Sequence, residues 1–156
     1  MPSTKEYLSM AIDLARKNVL ERGARPFGSV LVKDGKVVAT GVNDVIATND
    51  PSKHAELEAI RAAAAALKSP RLDGCIVYAS GHPCPMCLAA IHLVGIKEVY
   101  YAYSNDDAEK YGLSTARVYA EMAKAPSQQS IKVEYVPVRG GGEDPYEAWQ
   151  RANKTR

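Results

Sequence analysis

The 156-residue chain is poor in cysteine and has no long apolar run. Its three cysteines are Cys75, Cys84 and Cys87. A disulfide scaffold needs more cysteines and an even number of them, so this count favours a reducing compartment, the cytoplasm. The longest apolar candidate, Leu88–Ile96, is interrupted by His92 and falls well short of the about 18 residues that a membrane span requires. The opening MPSTKEYLSM lacks a basic start followed by an apolar stretch, so no secretory signal is expected.

The chain also lacks an excess of charge of either sign, with 20 basic and 18 acidic side chains and a formal net charge of +2. This balance excludes a protein that coats nucleic acid through charge alone, although not an enzyme that acts on a specific nucleic acid. Hydrophobic residues make up 46% and charged residues 24% of the chain, which excludes disorder. Because the length suits one domain and the sequence has no repeats or break in composition, we expect residues 1–156 to form a single domain.

Helical and extended patterns alternate along the chain. Ser3 and Glu6 have the spacing of a capping box, and an Asp34-Gly35 turn separates two β-rich runs. The predicted strands are Phe27–Val32, Lys36–Gly41, Cys75–Ala79, Glu98–Tyr103 and Lys132–Val138. The predicted helices are Ser3–Glu21, Ser52–Leu67, Cys84–Val94, Thr115–Lys124 and a short C-terminal helix that begins at Asp144-Pro145. This order predicts a three-layer α/β/α fold, in which helices cover both faces of a five-stranded mixed sheet.

Two short motifs at predicted helix starts indicate a metal site. His54 opens one helix, and Cys84 and Cys87 stand three residues apart at the start of another, where both can face one point. A helix N-terminus and a metal ion both favour thiolates there. One imidazole and two thiolates are three ligands for a single Zn²⁺, and they leave the fourth position open, as in catalytic sites. Glu56 is too close in sequence to His54 to share its direction, so we expect it to move protons rather than to bind the metal.

A structural zinc site is the alternative interpretation, and it needs a fourth ligand. The candidates are Cys75, His82 and His92. His92 lies about 140° around the helix axis from Cys87, and Cys75 lies in a predicted strand as a small core residue. The sequence alone does not exclude His82 as the fourth ligand. A zinc-stabilised fold without catalysis has no use for Glu56, so the catalytic interpretation is preferred.

The H-x-E motif followed by P-C-x-x-C is typical of zinc deaminases that act on nucleobases. The chain resembles the cytidine and nucleobase deaminase superfamily, and within it the bacterial guanine deaminase branch. The segments that carry this resemblance are Pro26-Phe27-Gly28, Asn43, the run Thr48–Pro51 with His54-Ala55-Glu56, Pro83–Cys87 and Tyr146–Trp149. The resemblance implies a cytidine-deaminase-like fold and a homodimer. It also implies that residues 140–156 form a lid or swapped segment that closes over an active site, in the same subunit or in its partner.

The resemblance further implies contacts with a flat heterocyclic substrate. Phe27 would stack on the ring, Asn43 would hydrogen-bond to it, and the backbone at Ala55 would meet a polar edge. Core packing for Phe27 and a turn position for Asn43 are the competing interpretations. Trp149 belongs to the segment expected to act as a lid.

Two positions and one short segment depart from the guanine deaminase pattern. His82 stands where the branch usually carries Glu, and Leu93 replaces a common aromatic residue. The segment Leu113-Ser114-Thr115 stands where those enzymes carry acidic residues that read the guanine edge. We therefore expect His82 and Thr115 to contact the substrate, with a turn-capping role as the alternative for His82, and we leave the identity of the base open.

The function predicted from these features is zinc-dependent hydrolytic deamination of a free nucleobase or related amino-heterocycle, with release of ammonia. Cytosine, isocytosine, an aminotriazine or a nucleoside are alternative substrates for the same chemistry. A tRNA adenosine deaminase is a further alternative, but it needs a basic surface, and residues 132–156 hold five basic and four acidic side chains. The expected partners are thus a small molecule and a second subunit, with neither nucleic acid nor membrane.

Overall fold

The computed structural model describes residues 1–154. Thr155 and Arg156, the last two residues of the predicted lid, lie outside the described residues. The chain divides into two compact units, Met1–Glu121 and Met122–Arg156. The single domain expected over residues 1–156 stays a prediction.

The first unit is built on a mixed sheet with the strand order β2-β1-β3-β4. The strands are β1 (Gly28–Lys33), β2 (Lys36–Val42), β3 (Cys75–Gly81) and β4 (Glu98–Tyr103). Strand β1 pairs antiparallel with β2 and with β3, whereas β3 and β4 are parallel. The predicted Asp34-Gly35 turn connects β1 to β2. Both residues have positive φ, as a two-residue type I′ hairpin turn requires.

Helices cover both faces of this sheet. The helices up to the end of the first unit are α1 (Thr4–Arg22), α2 (Val45–Thr48), α3 (Ala55–Leu67), α4 (Pro85–Leu93), α5 (Asn105–Glu109) and α6 (Ala116–Met122). The second unit, described by itself, holds a 3₁₀ turn (Pro126–Gln128) and α7 (Pro145–Ala152). Tyr7 and Ala11 of α1 pack with Val30 and Tyr78 on one face. Residues of α3 and α4 pack with Leu31 and Val77 on the other face. Alternate strand residues thus enter different cores, and the three-layer α/β/α arrangement is confirmed.

Gly41 allows α3 to lie directly against β2. A Cβ atom at Gly41 would stand 2.2 Å from the carbonyl oxygen of Ala55 and 2.6 Å from the amide nitrogen of Ala59. Only a residue without a side chain permits this approach. The start of α3, which carries His54 as its N-cap, is therefore fixed by backbone contact with the sheet.

The predicted fifth strand, Lys132–Val138, is wrong for the described residues, which form four strands. All seven of its residues are exposed. Pro137 has no amide hydrogen to give to a ladder, and the Val138 amide donates to Val136 in a tight turn. The alternating apolar pattern predicts a strand, but a strand also needs a neighbour to pair with.

Helix lengths in residues 1–154 give no candidate for a bilayer span, because no described helix combines the necessary length with sufficient apolar character.

Candidate active site

Two helix starts bring the predicted metal-binding residues together. His54 is the N-cap of α3, and Cys84 is the N-cap of α4. Pro85 occupies the first turn of α4, where its missing amide hydrogen costs nothing, and Cys87 follows in the same turn. The His54 side chain makes no capping hydrogen bond to its own helix, so its ring is free to act as a ligand.

The three donor atoms have the separation of a zinc site. The His54 Nδ1 atom lies 3.4 Å from the Cys84 Sγ atom and 3.6 Å from the Cys87 Sγ atom, and all three lie within 4.8 Å of one another. Tetrahedral Zn²⁺ with its usual bond lengths holds such donors about 3.5–4 Å apart. One imidazole and two thiolates also match the ligand preference of zinc. The residues therefore fit one zinc ion per chain, and the predicted cofactor is confirmed.

No fourth protein ligand joins this cluster within residues 1–154. Cys75 is buried in the core between the sheet and α3. His92 is exposed on α4, and the ring of His82 is hydrogen-bonded to Asn105. Three protein ligands leave one coordination position for water or substrate, which is the pattern of a catalytic rather than a structural site.

The pKa values of the two cysteines are shifted in opposite directions. The hydrogen bond with Cys87 and that with His54 lower the pKa of Cys84 to about 4, although burial opposes this. The pKa of Cys87 is raised by its hydrogen bond with Cys84 and by burial. The hydrogen bond with Cys84 also raises the pKa of His54. The lowered pKa favours the thiolate of Cys84, the form in which cysteine binds a metal, and a bound zinc ion would favour the thiolate of Cys87 as well.

Glu56 lies beside this cluster as a buried carboxyl with 5% of its surface exposed. Burial raises the pKa of Glu56, and a hydrogen bond with Cys87 opposes this increase. A raised pKa favours the protonated carboxyl, which suits Glu56 to take up and release a proton.

The cluster opens into a cavity of about 300 Å³, which we call the active-site cavity. Its lining residues are Arg25, Phe27, Asn43, His54, Glu56, His82, Cys84, Gly112, Leu113, Ser114 and Thr115. Phe27, Asn43, His82 and Thr115 are four of the predicted substrate-binding residues. The structure thus places these four side chains around one cavity, and their contacts with a substrate stay predictions.

Asn43 serves both the turn and the cavity. Its Oδ1 atom accepts a hydrogen bond from the Val45 amide at 3.1 Å, which ends the strand as a turn residue would. A backbone amide can only donate, so this contact fixes the orientation of the side-chain amide. The Asn43 Nδ2 atom has no protein partner within residues 1–154 and is not fully enclosed, so it is available to a molecule in the cavity.

Two predicted substrate-binding residues do not line this cavity. Ala55 is fully buried at the start of α3, although His54 and Glu56 on either side of it line the cavity. Trp149 belongs to the second unit, where it lies on α7 with 67% of its surface exposed. Their contacts with substrate stay predictions.

Sequence reasoning missed Arg25, Asn105, Tyr101 and Tyr119. Arg25 lines the cavity, and its charge lies near enough to His54 to oppose protonation of that ring. Tyr119 donates a hydrogen bond to the carbonyl oxygen of Pro83, next to the metal ligand Cys84. A usable signal existed for Asn105, which follows β4, because the carboxyl ends of neighbouring parallel strands meet at one edge, where ligands bind.

The comparisons with known proteins define the class of this chain. Residues 1–103 match the family described as the cytidine and deoxycytidylate deaminase zinc-binding region. The chain therefore belongs to this family and is a zinc-dependent hydrolase of the deaminase type.

The likeness extends beyond the zinc-binding region. Guanine deaminase of Bacillus subtilis (strain 168) is 40% identical over 149 residues, which are 95% of this chain and 95% of that protein. An X-ray structure of guanine deaminase from Bacillus subtilis matches with a TM-score of 0.87 at 38% identity, covering 96% of this chain and 95% of that one. A tRNA-specific adenosine deaminase of Aquifex aeolicus (strain VF5) is 30% identical over 139 residues, 89% of either chain. The predicted resemblance to the guanine deaminase branch is confirmed.

Proposed function

We propose that this enzyme deaminates a free nucleobase or a related amino-heterocycle, in the manner of a guanine deaminase. The observation that supports this most directly is the buried carboxyl of Glu56 beside a three-ligand metal site with an open position. The active-site cavity, at about 300 Å³, suits a small flat ring. Guanine is the first candidate because of the likeness to guanine deaminase over 95% of the chain.

The proposed mechanism divides the work between metal and protein. Zinc, when bound, lowers the pKa of water towards about 7 and so supplies a nucleophile for the ring carbon that bears the amino group. Glu56 would take one proton from the attacking water and deliver it to a ring nitrogen. It would then carry the proton of the new hydroxyl group to the amino group, so that ammonia leaves and a carbonyl remains on the ring carbon. A backbone amide at the start of α4 stabilises the developing negative charge.

The remaining cavity residues hold the ring. Phe27 offers an aromatic face, and the Asn43 Nδ2 atom offers a hydrogen-bond donor. His82 and Thr115 line the same cavity, and we assign them to the edge of the ring. The backbone at Ala55 and the side chain of Trp149 complete the contacts implied by the family likeness.

A panel assay tests this function. The zinc-loaded protein is given guanine, cytosine, isocytosine, adenine, aminotriazines and their nucleosides, and ammonia is measured. We expect release from at least one free heterocycle. No release from any member, together with inosine formation in a tRNA anticodon, would instead favour the activity of the tRNA-specific relative.

We also propose that the enzyme is a homodimer in which residues 140–156 act as a lid. The second unit carries apolar side chains that are largely exposed, including Val138, Tyr146 and Trp149. An exposed set of this kind is typical of a surface that another element covers. Light scattering measures the oligomeric state, and a monomer would contradict the dimer.

Mixed dimers reveal which subunit each lid serves. Glu56→Ala removes the proton carrier, and Trp149→Ala removes the largest apolar side chain of α7. If the lid serves the partner, mixing the two inactive variants restores activity, because one site then has an intact Glu56 and an intact lid. If it serves its own subunit, mixing restores nothing.

We further propose a cytoplasmic location. All three cysteines are free, and two of them are metal ligands that a reducing compartment keeps as thiols. Immunodetection in fractionated cells tests this location.

A further inference from the structure

His82 is held in one orientation beside the active-site cavity. It follows β3, and its backbone amide donates to the carbonyl oxygen of Tyr103 at 2.9 Å. Its ring stacks on Tyr101 at 4.5 Å between centroids and on Tyr119 at 5.1 Å. A ring fixed by two aromatic neighbours presents its nitrogen atoms in defined directions.

The orientation of Asn105 follows from Thr115. The backbone amide of Thr115 donates to the Asn105 Oδ1 atom at 3.1 Å. Because a backbone amide cannot accept, the atom facing it must be the oxygen, and the Asn105 Nδ2 atom must face the other way. That Nδ2 atom lies 2.9 Å from the His82 Nδ1 atom.

This contact determines where His82 carries its hydrogen. The Asn105 Nδ2 group only donates, so the His82 Nδ1 atom must accept. The ring hydrogen then lies on Nε2. Within residues 1–154 the Nε2 atom has no hydrogen-bond partner, and it is not fully enclosed.

The rest of the active-site cavity also offers donors. Arg25 brings a guanidinium group, and the Asn43 Nδ2 atom is a free donor within residues 1–154. Ser114 carries a hydroxyl group that can donate, whereas the Thr115 hydroxyl already donates to the Asn105 Oδ1 atom at 3.5 Å. Among the described lining residues, Glu56 is the sole carboxylate, and the proposed mechanism already uses it. Among the first-unit residues that line this cavity, no second carboxylate is present to accept from the N–H groups of a substrate edge.

We propose that His82 is a specificity-determining residue and that Asn105 positions it. His82 offers one N–H donor to the substrate, so the preferred heterocycle presents an acceptor there, either a ring nitrogen without hydrogen or a carbonyl oxygen. Aminotriazines and cytosine-like rings have such edges, whereas guanine has acceptors at N3, N7 and O6 and would not bind His82 through its edge of ring N–H and amino group. This inference rests on the proposed function, because it narrows the substrate class of the same site.

Long-range proton–nitrogen NMR correlation tests the position of the hydrogen in the zinc-loaded protein. The chain has three histidines, so the variants His82→Gln and His92→Gln assign the ring signals directly. We expect His82 to carry its hydrogen on Nε2 alone. In Asn105→Asp a carboxylate faces Nδ1, so Nδ1 gains a hydrogen. A hydrogen on Nδ1 in the unaltered protein would overturn the proposal.

Competition between an aminotriazine and guanine tests the specificity. His82→Glu replaces the donor with an acceptor and should lower the ratio of kcat/KM for aminotriazine over guanine by about tenfold or more. His82→Gln keeps a donor and should keep the ratio within about threefold, as should His92→Gln on the exposed face of α4. Zinc content and thermal melting are measured for each variant to establish that it folds.

An unchanged ratio in a folded, active His82→Glu variant would overturn the specificity role while leaving deamination intact. If the unaltered protein released no ammonia from any base, the proposed function would fail, and the NMR result on His82 would still stand by itself.

Discussion

Glu56 and Glu58 show how position on one helix turn separates a chemical role from a surface role. Both belong to the first turn of α3, but Glu56 is buried beside the metal ligands, whereas Glu58 pairs with Arg61. Burial raises the pKa of Glu56, and its carboxyl lies in the cavity wall beside His54. A carboxyl at that place can exchange protons with a bound ring.

The substitution Glu56→Gln should leave zinc content unchanged and lower the rate of ammonia release by about 10²–10⁴-fold, because Gln keeps the shape but cannot carry the proton. Metal analysis and a steady-state assay measure the two effects. Glu58→Gln is the matched control and should retain the rate. Near-normal turnover in Glu56→Gln would contradict the proposed role.

Cys84 and Cys75 offer a second comparison at the residue scale. Cys84 contributes a thiolate to the metal site, whereas Cys75 fills the core. We expect Cys84→Ala to lose zinc and activity together, and Cys75→Ala to keep one zinc per chain with a modest loss of stability, about 1 kcal/mol. Zinc retained by Cys84→Ala after dialysis would argue against the assigned ligand set.

The metal site was predictable because its information is local. The spacing of Cys84 and Cys87 and the position of His54 at a helix start are visible in the sequence. The contact of His82 with Asn105 joins residues 23 positions apart, and the Thr115 amide that orients it follows 10 positions later. Sequence spacing does not encode such contacts. The nitrogen atom of His82 that carries the hydrogen can therefore be inferred only from the folded structure.

Among the secondary-structure elements, the approach of α3 to β2 determines where His54 stands. Gly41 allows this approach, since any side chain there would meet the carbonyl oxygen of Ala55. The helix start and the metal ligand are therefore coupled to the packing of the sheet.

Gly41→Ala should lower the free energy of unfolding by about 1–3 kcal/mol, because α3 must move away from the sheet. It should also weaken zinc binding, since His54 moves with the helix. Chemical denaturation and zinc titration measure these effects. Gly141→Ala, where an added Cβ meets nothing within 4 Å, is the control. Equal stabilities of the two variants would contradict the packing role.

The strands and main helices of the first unit were predicted well because their apolar patterns face real cores. Val30 and Leu31 alternate between the two cores, and the capping box of Ser3 and Glu6 is present. The pattern of Lys132–Val138 looks equally strand-like, but no described strand pairs with it. Strand formation depends on a partner as well as on alternation.

For the whole molecule, the metal should contribute to stability as well as to catalysis. Bound zinc would join separate elements of the first unit, because His54 caps the start of α3, whereas Cys84 and Cys87 stand at the start of α4. Removing zinc with a chelator should lower the melting temperature, and adding zinc back should restore both melting temperature and activity. An unchanged melting temperature in the metal-free protein would contradict this contribution.

The most direct test of the proposed hydrolytic deamination follows one turnover in water labelled with heavy oxygen. The zinc-loaded enzyme and its best heterocycle from the panel should yield one ammonia per product, and mass spectrometry should find one labelled oxygen at the carbon that lost the amino group. Ammonia without label in the product, or no ammonia at all from any heterocycle, would contradict hydrolytic deamination at this site.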